Sequence, residues 1–350
     1  MKKLKFICFS IYIWIAILLT QCSAKALFSQ NTKPTPPENF STFTEWCLNQ
    51  TNISRTAQYT VKILLQKAGT NDCTEANKKL SLLYNLSLNN NRIRNIAPIS
   101  SLKNLTQLSL NDNEILELSP LSNLPNLTHL SIDSNRIADV SELSRLTNLT
   151  HLNLNDNRIT NLSPISNLTK LTHLNLIFNQ IEDLSPLSNF SKLTQLNLGV
   201  NRISNLSPLS TLTNLTHLYL NDNNIREISP LSNLNNLTNL YLYRNQISNI
   251  SPLANLTKLN YLSLSDNYIT EVSALSNLRN LKSLTLVFNQ ITKVDSLSTL
   301  SNLNLLDLSR NRITDISSLS SLTQLDSLNL RNNPVANRVC PVKPESICRF

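Results

Sequence analysis

The side chains best suited to chemistry in this 350-residue sequence are four histidines, His129, His151, His173 and His217, spaced by 22 residues or twice that. Each stands six residues before an asparagine, in a segment where leucines alternate with polar residues. That alternation is the pattern of a short strand with one face in water. If successive segments pair as neighbouring strands, the first three imidazoles lie about 5 Å apart. At that spacing they can share a metal ion or titrate together near pH 6. No cysteine or carboxylate occupies the column to complete a ligand set, and duplication of one repeat accounts for it without a metal. The expectation is therefore solvated imidazoles that repel one another's charge, a mildly pH-sensitive face, and no metal or cofactor.

Two further clusters fall on outward positions. Tyr219, Tyr241, Tyr243 and Tyr261, half of the eight tyrosines, occupy three consecutive strand segments. Exposed tyrosines are favoured anchors for a protein partner and, less readily here, a carbohydrate; they also raise strand propensity. Ile177 and Phe178, Val200, and Val287 with Phe288 replace the Asn and Asp usual at those positions. Ile177, Phe178 and Val200 then form a small apolar patch beside His173, either a contact site or packing against the adjacent loop, and the contact is expected. Catalysis has no such support. Nothing matches a nucleophile elbow, a zinc-protease helix or a Walker loop, and Asp156 and His151 lie in different columns. Two glycines, where average usage would give roughly 25, disfavour phosphate-cradling loops. No enzymatic activity is expected.

What positions these residues is a 22-residue period. One asparagine recurs at Asn91, Asn113, Asn135, Asn157, Asn179, Asn201, Asn223, Asn245, Asn267, Asn289, Asn311 and Asn333 without an insertion. Around it runs L-x-x-L-x-L-x-x-N-x-I-x-x-I-x-P-L-x-x-L, as in Leu149, Leu152, Leu154, Asn157, Ile159, Leu162, Pro164, Ile165 and Leu168. One unit cannot bury its own apolar side chains, so units must stack and share an interior. The stacked strands form a parallel sheet at about 4.8 Å spacing. The asparagine amides serve backbone groups of the bend and form a ladder. Segments such as 163–168 are too short for an α-helix and are expected as 3₁₀ or extended turns opened by proline. With the leucines inside, variation is free only at six, four, two and one residues before each asparagine.

This pattern over residues 82 to 333 resembles the 22-residue class of leucine-rich repeats found in bacterial internalin-type proteins and in a eukaryotic protein phosphatase regulator. The resemblance implies an α/β solenoid: a right-handed superhelix with about twelve parallel strands on its concave face, a 3₁₀ or extended convex side, and a concave surface that binds protein. Phe190 in place of leucine, and Glu142, Ala274, Ser296 and Ser318 in place of proline, touch only back-side turns.

The ends read differently. Lys2, Lys3 and Lys5 precede the apolar run Phe6 to Leu19, followed by Ala24-Lys25-Ala26. This order predicts a secretory signal peptide over 1–26, too short for a membrane span. Gln21 before Cys22 disfavours a lipid anchor. Without the four leader lysines, 27 basic residues face 22 acidic ones, and the charge falls from +9 to about +5. That charge spread along a rod, in an exported chain, argues against nucleic acid. Residues 27–40 hold Pro34, Pro36 and Pro37 and read as a flexible leader. A cap is expected over 41–81, its helix at 54–68 carrying Val61, Leu64, Leu65 and Ala68 on one face and stopped by Gly69. A second cap covers 334–350 and resembles the C-terminal caps of secreted repeat proteins.

Four cysteines remain beyond the leader: Cys47, Cys73, Cys340 and Cys348. Eleven repeat steps, roughly 50 Å, separate the two ends, beyond disulfide reach. The pairing is then Cys47 with Cys73 and Cys340 with Cys348. No membrane segment or sorting signal follows Cys348. The function expected is an exported bacterial scaffold, periplasmic or at the cell surface, that binds a protein through the concave strands. The rivals are a passive envelope rod, a metal- or pH-modulated binder through the histidines, and a phosphatase-regulator role. Disulfides oppose the last, because the cytosol keeps thiols reduced. The sequons at Asn104, Asn126, Asn148, Asn214 and Asn236 follow the repeat and need no glycan to explain them.

Overall fold

A computed structural model describes residues 40–350. The expected signal peptide and all of the proline-bearing leader up to residue 39 lie outside the described residues.

Alternating leucines produce strands of three residues. These are β1 (Asn85–Ser87), β2 (Gln107–Ser109), β3 (His129–Ser131), β4 (His151–Asn153), β5 (His173–Asn175), β6 (Gln195–Asn197) and β7 (His217–Tyr219). They continue as β8 (Asn239–Tyr241), β9 (Tyr261–Ser263), β10 (Ser283–Thr285), β11 (Leu305–Asp307) and β12 (Ser327–Asn329). All pair in parallel and in chain order, each shifted by one repeat, so Leu152 faces Leu174 and His151 faces His173. The sheet has thirteen strands, one beyond the twelve repeats. The last, β13 (Cys348–Arg349), comes from the C-terminal cap and covers β12. The sheet is open, and the caps rather than closure protect its edges.

The central leucine of each strand from β1 to β12 points inward, and one continuous apolar core runs from Phe43 to Val342. On the convex side single 3₁₀ turns face each strand, such as Ser163–Ile165 and Ser185–Leu187, with proline in the first turn. Turns also form at Ser141–Arg145, Ser273–Leu275, Asp295–Thr299 and Ser317–Ser321, where proline is absent. Proline thus presets the turn without being required. Phe190 is fully buried in the leucine position it takes.

The asparagines form a hydrogen-bonded ladder. In Asn179, Oδ1 accepts the backbone N–H of Ile159 at 3.0 Å, while Nδ2 donates to the carbonyls of Leu154, Leu176 and Ile177. The same bond to the isoleucine of the preceding unit is made by every rung from Asn113 to Asn333. Asn91 stands at the start with no unit beneath it, so its amide reaches only Asn89 O.

Three helices close the N-terminal end: α1 (Phe43–Leu48), α2 (Arg55–Ala68) and α3 (Cys73–Ser81). The apolar stripe predicts α2, which begins at Ser54, whose Oγ accepts Ala57 N–H, and stops at Gly69 in the left-handed region, φ 65°. The stripe divides by depth: Val61 and Leu64 are fully buried, Leu65 and Ala68 only half so. Helix α1 is six residues held by a Thr42–Glu45 capping box, too short for periodicity to register. Phe43 and Trp46 of α1 cover the core, and Thr60 of α2 donates to Asn95 O of the first repeat. The disulfides join Cys47 to Cys73, tying α1 to α3, and Cys340 to Cys348. Among the described residues no helix is long and apolar enough to cross a membrane.

Candidate functional site

The strand face is where side chains escape the repeat, because residues on either side of each buried leucine point to water. Over β1 to β7 this face holds a groove of about 700 Å³. Its floor carries His129, His151 and His173, and Tyr219 stands at one end. Among the described residues no Asp, Glu, Lys or Arg lines it.

The three histidines form a stack. Ring centroids are 4.2 Å apart between His129 and His151 and 4.1 Å between His151 and His173, with planes 13° off parallel in each pair. Parallel rings send their lone pairs side by side and do not converge them on one ion. Among the described residues no group of three or more His, Cys, Asp or Glu is placed to hold a metal. His217 shares the column, but Gln195 of β6 separates it from the stack. Burial first, and then other imidazoles of the column, hold His151 and His173 below the usual histidine pKa.

A feature that the sequence reading missed fixes the rings: each histidine follows a threonine. Nδ1 of His129, His151, His173 and His217 lies 2.9 Å from Oγ1 of Thr128, Thr150, Thr172 and Thr216. Each threonine hydroxyl also reaches the carbonyl of the threonine one repeat earlier. The recurring Thr-His dipeptide was the available signal.

Of the four tyrosines, two stack on one another. Tyr219 and Tyr241 face each other across β7 and β8 and stack, centroids 4.8 Å apart and planes 3° from parallel. Tyr261 is exposed in the histidine column, beside Asn239 and Ser283. Tyr243 stands past the end of β8 with Arg244, which holds Asp222 at 3.3 Å. Burial raises the Tyr219 and Tyr243 phenols above their ordinary pKa, Tyr241 adding to the first and Asp222 to the second.

The apolar patch lies on a strained ridge. The residue before each ladder asparagine has positive φ in every repeat, between 48° at Asp156 and 60° at Asn90. There the chain bends into the core while its N–H still donates to the next repeat, as Val200 N–H does to Asn221 O at 2.8 Å. Asp, Asn and Ser occupy most of these positions, consistent with their tolerance of the left-handed region. Phe178 (φ 55°), Val200 (φ 51°) and Phe288 (φ 54°) do not share it, and Val200 is β-branched. Phe178 is 52% exposed and Phe288 54%. Ile177 and Val200 are half-buried beside Phe178, whereas Phe288 lies five repeats away, roughly 24 Å, and belongs to no shared patch. Buried Asn221, packed against Gly199, fills the ridge between this patch and Tyr243.

The sequence matches the family described as leucine-rich repeats in two copies, in overlapping pairs covering residues 103–299, and a further leucine-rich repeat pattern at 292–335. No curated protein matches the chain. Among solved structures, an internalin, InlF, of Listeria monocytogenes aligns at 31% identity over 83% of this chain and 94% of its own, TM-score 0.73. Internalin C2 of the same organism aligns at 35% identity over 65% of this chain and 92% of its own, TM-score 0.50. A leucine-rich repeat protein of Leptospira interrogans aligns at 25% identity over 75% and 82%, TM-score 0.60. With its unbroken register, asparagine ladder and capped open sheet, the chain belongs to the leucine-rich repeat family, in its internalin-like bacterial class.

Proposed function

We propose that this protein is an exported scaffold that binds a protein partner through its concave strand face. Phe178 and Val200 carry the reading: both hold positive φ at positions that Asp and Asn suit, and both keep apolar surface in reach of solvent. A purely structural rod gains nothing from that strain, whereas a contact surface does. The stacked Tyr219 and Tyr241 add large amphipathic area nearby. Export is supported by the basic and apolar leader and by two disulfides.

The test uses the whole described chain as bait in a capture from surface extracts. Replacing Tyr219, Tyr241, Tyr243 and Tyr261 with serine, and separately Phe178 and Val200 with asparagine, is expected to lose the captured protein. Unchanged capture by both variants, or no saturable partner for the parent chain, removes the reading and leaves the passive rod.

A further inference from the structure

The groove's titratable groups are His129, His151 and His173 on its floor and Tyr219 at its end, with His217 two strands beyond His173 in the same column. Burial keeps the Tyr219 phenol neutral to still higher pH, so near and below neutral pH the groove's charge moves from neutral to positive. Past the strand ends, Asp133 accepts from Ser134 and Asn155, and Asp156 is exposed on the rim; neither lines the groove. Besides burial, the charges that lower the His151 and His173 pKa are those of other histidines of the column, His129 and His173 for the first and His129 and His217 for the second.

An imidazolium must donate from both nitrogens. For Nδ1 the acceptor is in place: threonine Oγ1, whose own proton goes to the carbonyl of the preceding repeat. For Nε2 the described residues supply no partner, so a proton gained there is offered to whatever occupies the groove. Two such donors on parallel rings 4.1 Å apart match the two oxygens of one carboxylate. Unaided, the stack resists a second charge; a carboxylate seated across two rings removes that resistance.

We propose that the groove floor over β3 to β5 is a carboxylate site, which takes up an acidic side chain of a polypeptide partner together with a proton and releases both as the pH rises. This rests on the reading of the concave strands as the binding face. Carboxylates keep their charge down to about pH 4.5, and histidines gain theirs below about pH 6.5, which sets the working window. A permanently charged sulfate or phosphate polymer fits less well, because among the described residues no lysine or arginine lines the groove.

The experiment measures anisotropy of a labelled peptide of alternating glutamate and glycine, and of its glutamine counterpart, with the full chain at pH 5.5 and 7.5. Labelled dextran sulfate is a third probe. The glutamate peptide is expected to bind at least tenfold more tightly at pH 5.5, and the glutamine peptide at neither pH. The paired change His151→Gln and His173→Gln is expected to abolish that step while circular dichroism shows the fold intact. In NMR titration of ring nitrogens, the glutamate peptide is expected to raise the pKa of His151 and His173. Equal binding at both pH values, a step that survives in the paired variant, or binding of dextran sulfate alone overturns the proposal. The tyrosine series fails or succeeds separately: a lost pH step with tyrosine-dependent capture sinks only the carboxylate site.

Discussion

The imidazole of His151 lies flat on that of His173, ring centroids 4.1 Å apart. Burial and other rings of the column hold both below the histidine pKa of the unfolded chain, about 6.5. Below that value the unfolded chain binds more protons than the folded one, so folding stability is full above it and declines as the pH falls. The carboxylates with lowered pKa, such as Glu114 and Asp139, lose their share only in more acid solution. Urea unfolding at pH 7.5 and 5.5 should therefore show a loss in the parent chain that shrinks when His151 and His173 become glutamine. An equal loss in both would assign the pH dependence elsewhere.

Val200 offers a different signature. At φ 51° a β-branched residue is strained, and asparagine is not. Val200→Asn is expected to stabilise the fold by about 1 kcal/mol, and Phe178→Asn to act in the same direction. If the ridge is a contact surface, the same two changes weaken partner capture. Stabilisation with undiminished capture would mean that the strain serves nothing.

How much of this was legible in the sequence follows from how each feature is encoded. Leu152, Leu154, Asn157 and Ile159 recur at fixed spacing, and the fold's contacts recur at the same spacing, so register and core could be read directly. Helix α2 was visible because fourteen residues carry several turns of an apolar stripe. Helices α1 and α3 were not, since six and nine residues hold too few turns and their caps are local hydrogen bonds. The thirteenth strand depends on where the last disulfide folds the chain back, which no period records. At the face, the columns lead to the strands that carry the four histidines, Tyr219, Tyr241 and Tyr261, with Tyr243 just past the end of β8, but ring orientation depends on neighbours. Hence the stack of Tyr219 on Tyr241, with Tyr261 apart, was not foreseen. The positive φ at Phe178 and Val200 was hinted at only by the Asp and Asn they replace.

The ladder makes a graded prediction. Removing the amide of Asn179 strands the buried N–H of Ile159 and takes one donor from each of three carbonyls, which keep Asn157 Nδ2, Asn201 Nδ2 and Asp156 N–H as partners. Asn179→Ala should cost about 2–4 kcal/mol, because one stranded buried N–H costs roughly 1–3 kcal/mol and the lost donor bonds to the carbonyls add to it. Asn91 donates only to Asn89 O, and its loss should cost about 1 kcal/mol. Denaturant midpoints for the two variants give the comparison. Similar losses would show that the amides act by filling space and not by bonding.

Gly199 is the remaining test, because its backbone does not require glycine but its surroundings do. Its φ is not in the left-handed region, yet a methyl group there would stand 2.8 Å from Asn221 Oδ1. Asn221 is 5% exposed, and its Nδ2 donates to Asp222, which Arg244 holds from the other side. The amide therefore cannot swing away without loosening that chain and the ridge between Val200 and Tyr243. Gly199→Ala is expected to destabilise the fold by about 1–3 kcal/mol, in the range of overpacking. Asn221→Ala alone should destabilise it as well, through the lost bond and packing. Together the two changes should cost less than their sum, because the new methyl occupies the space that the amide vacates. Strict additivity in denaturant unfolding would mean that the two residues do not press on each other, and that the ridge owes its shape to something else.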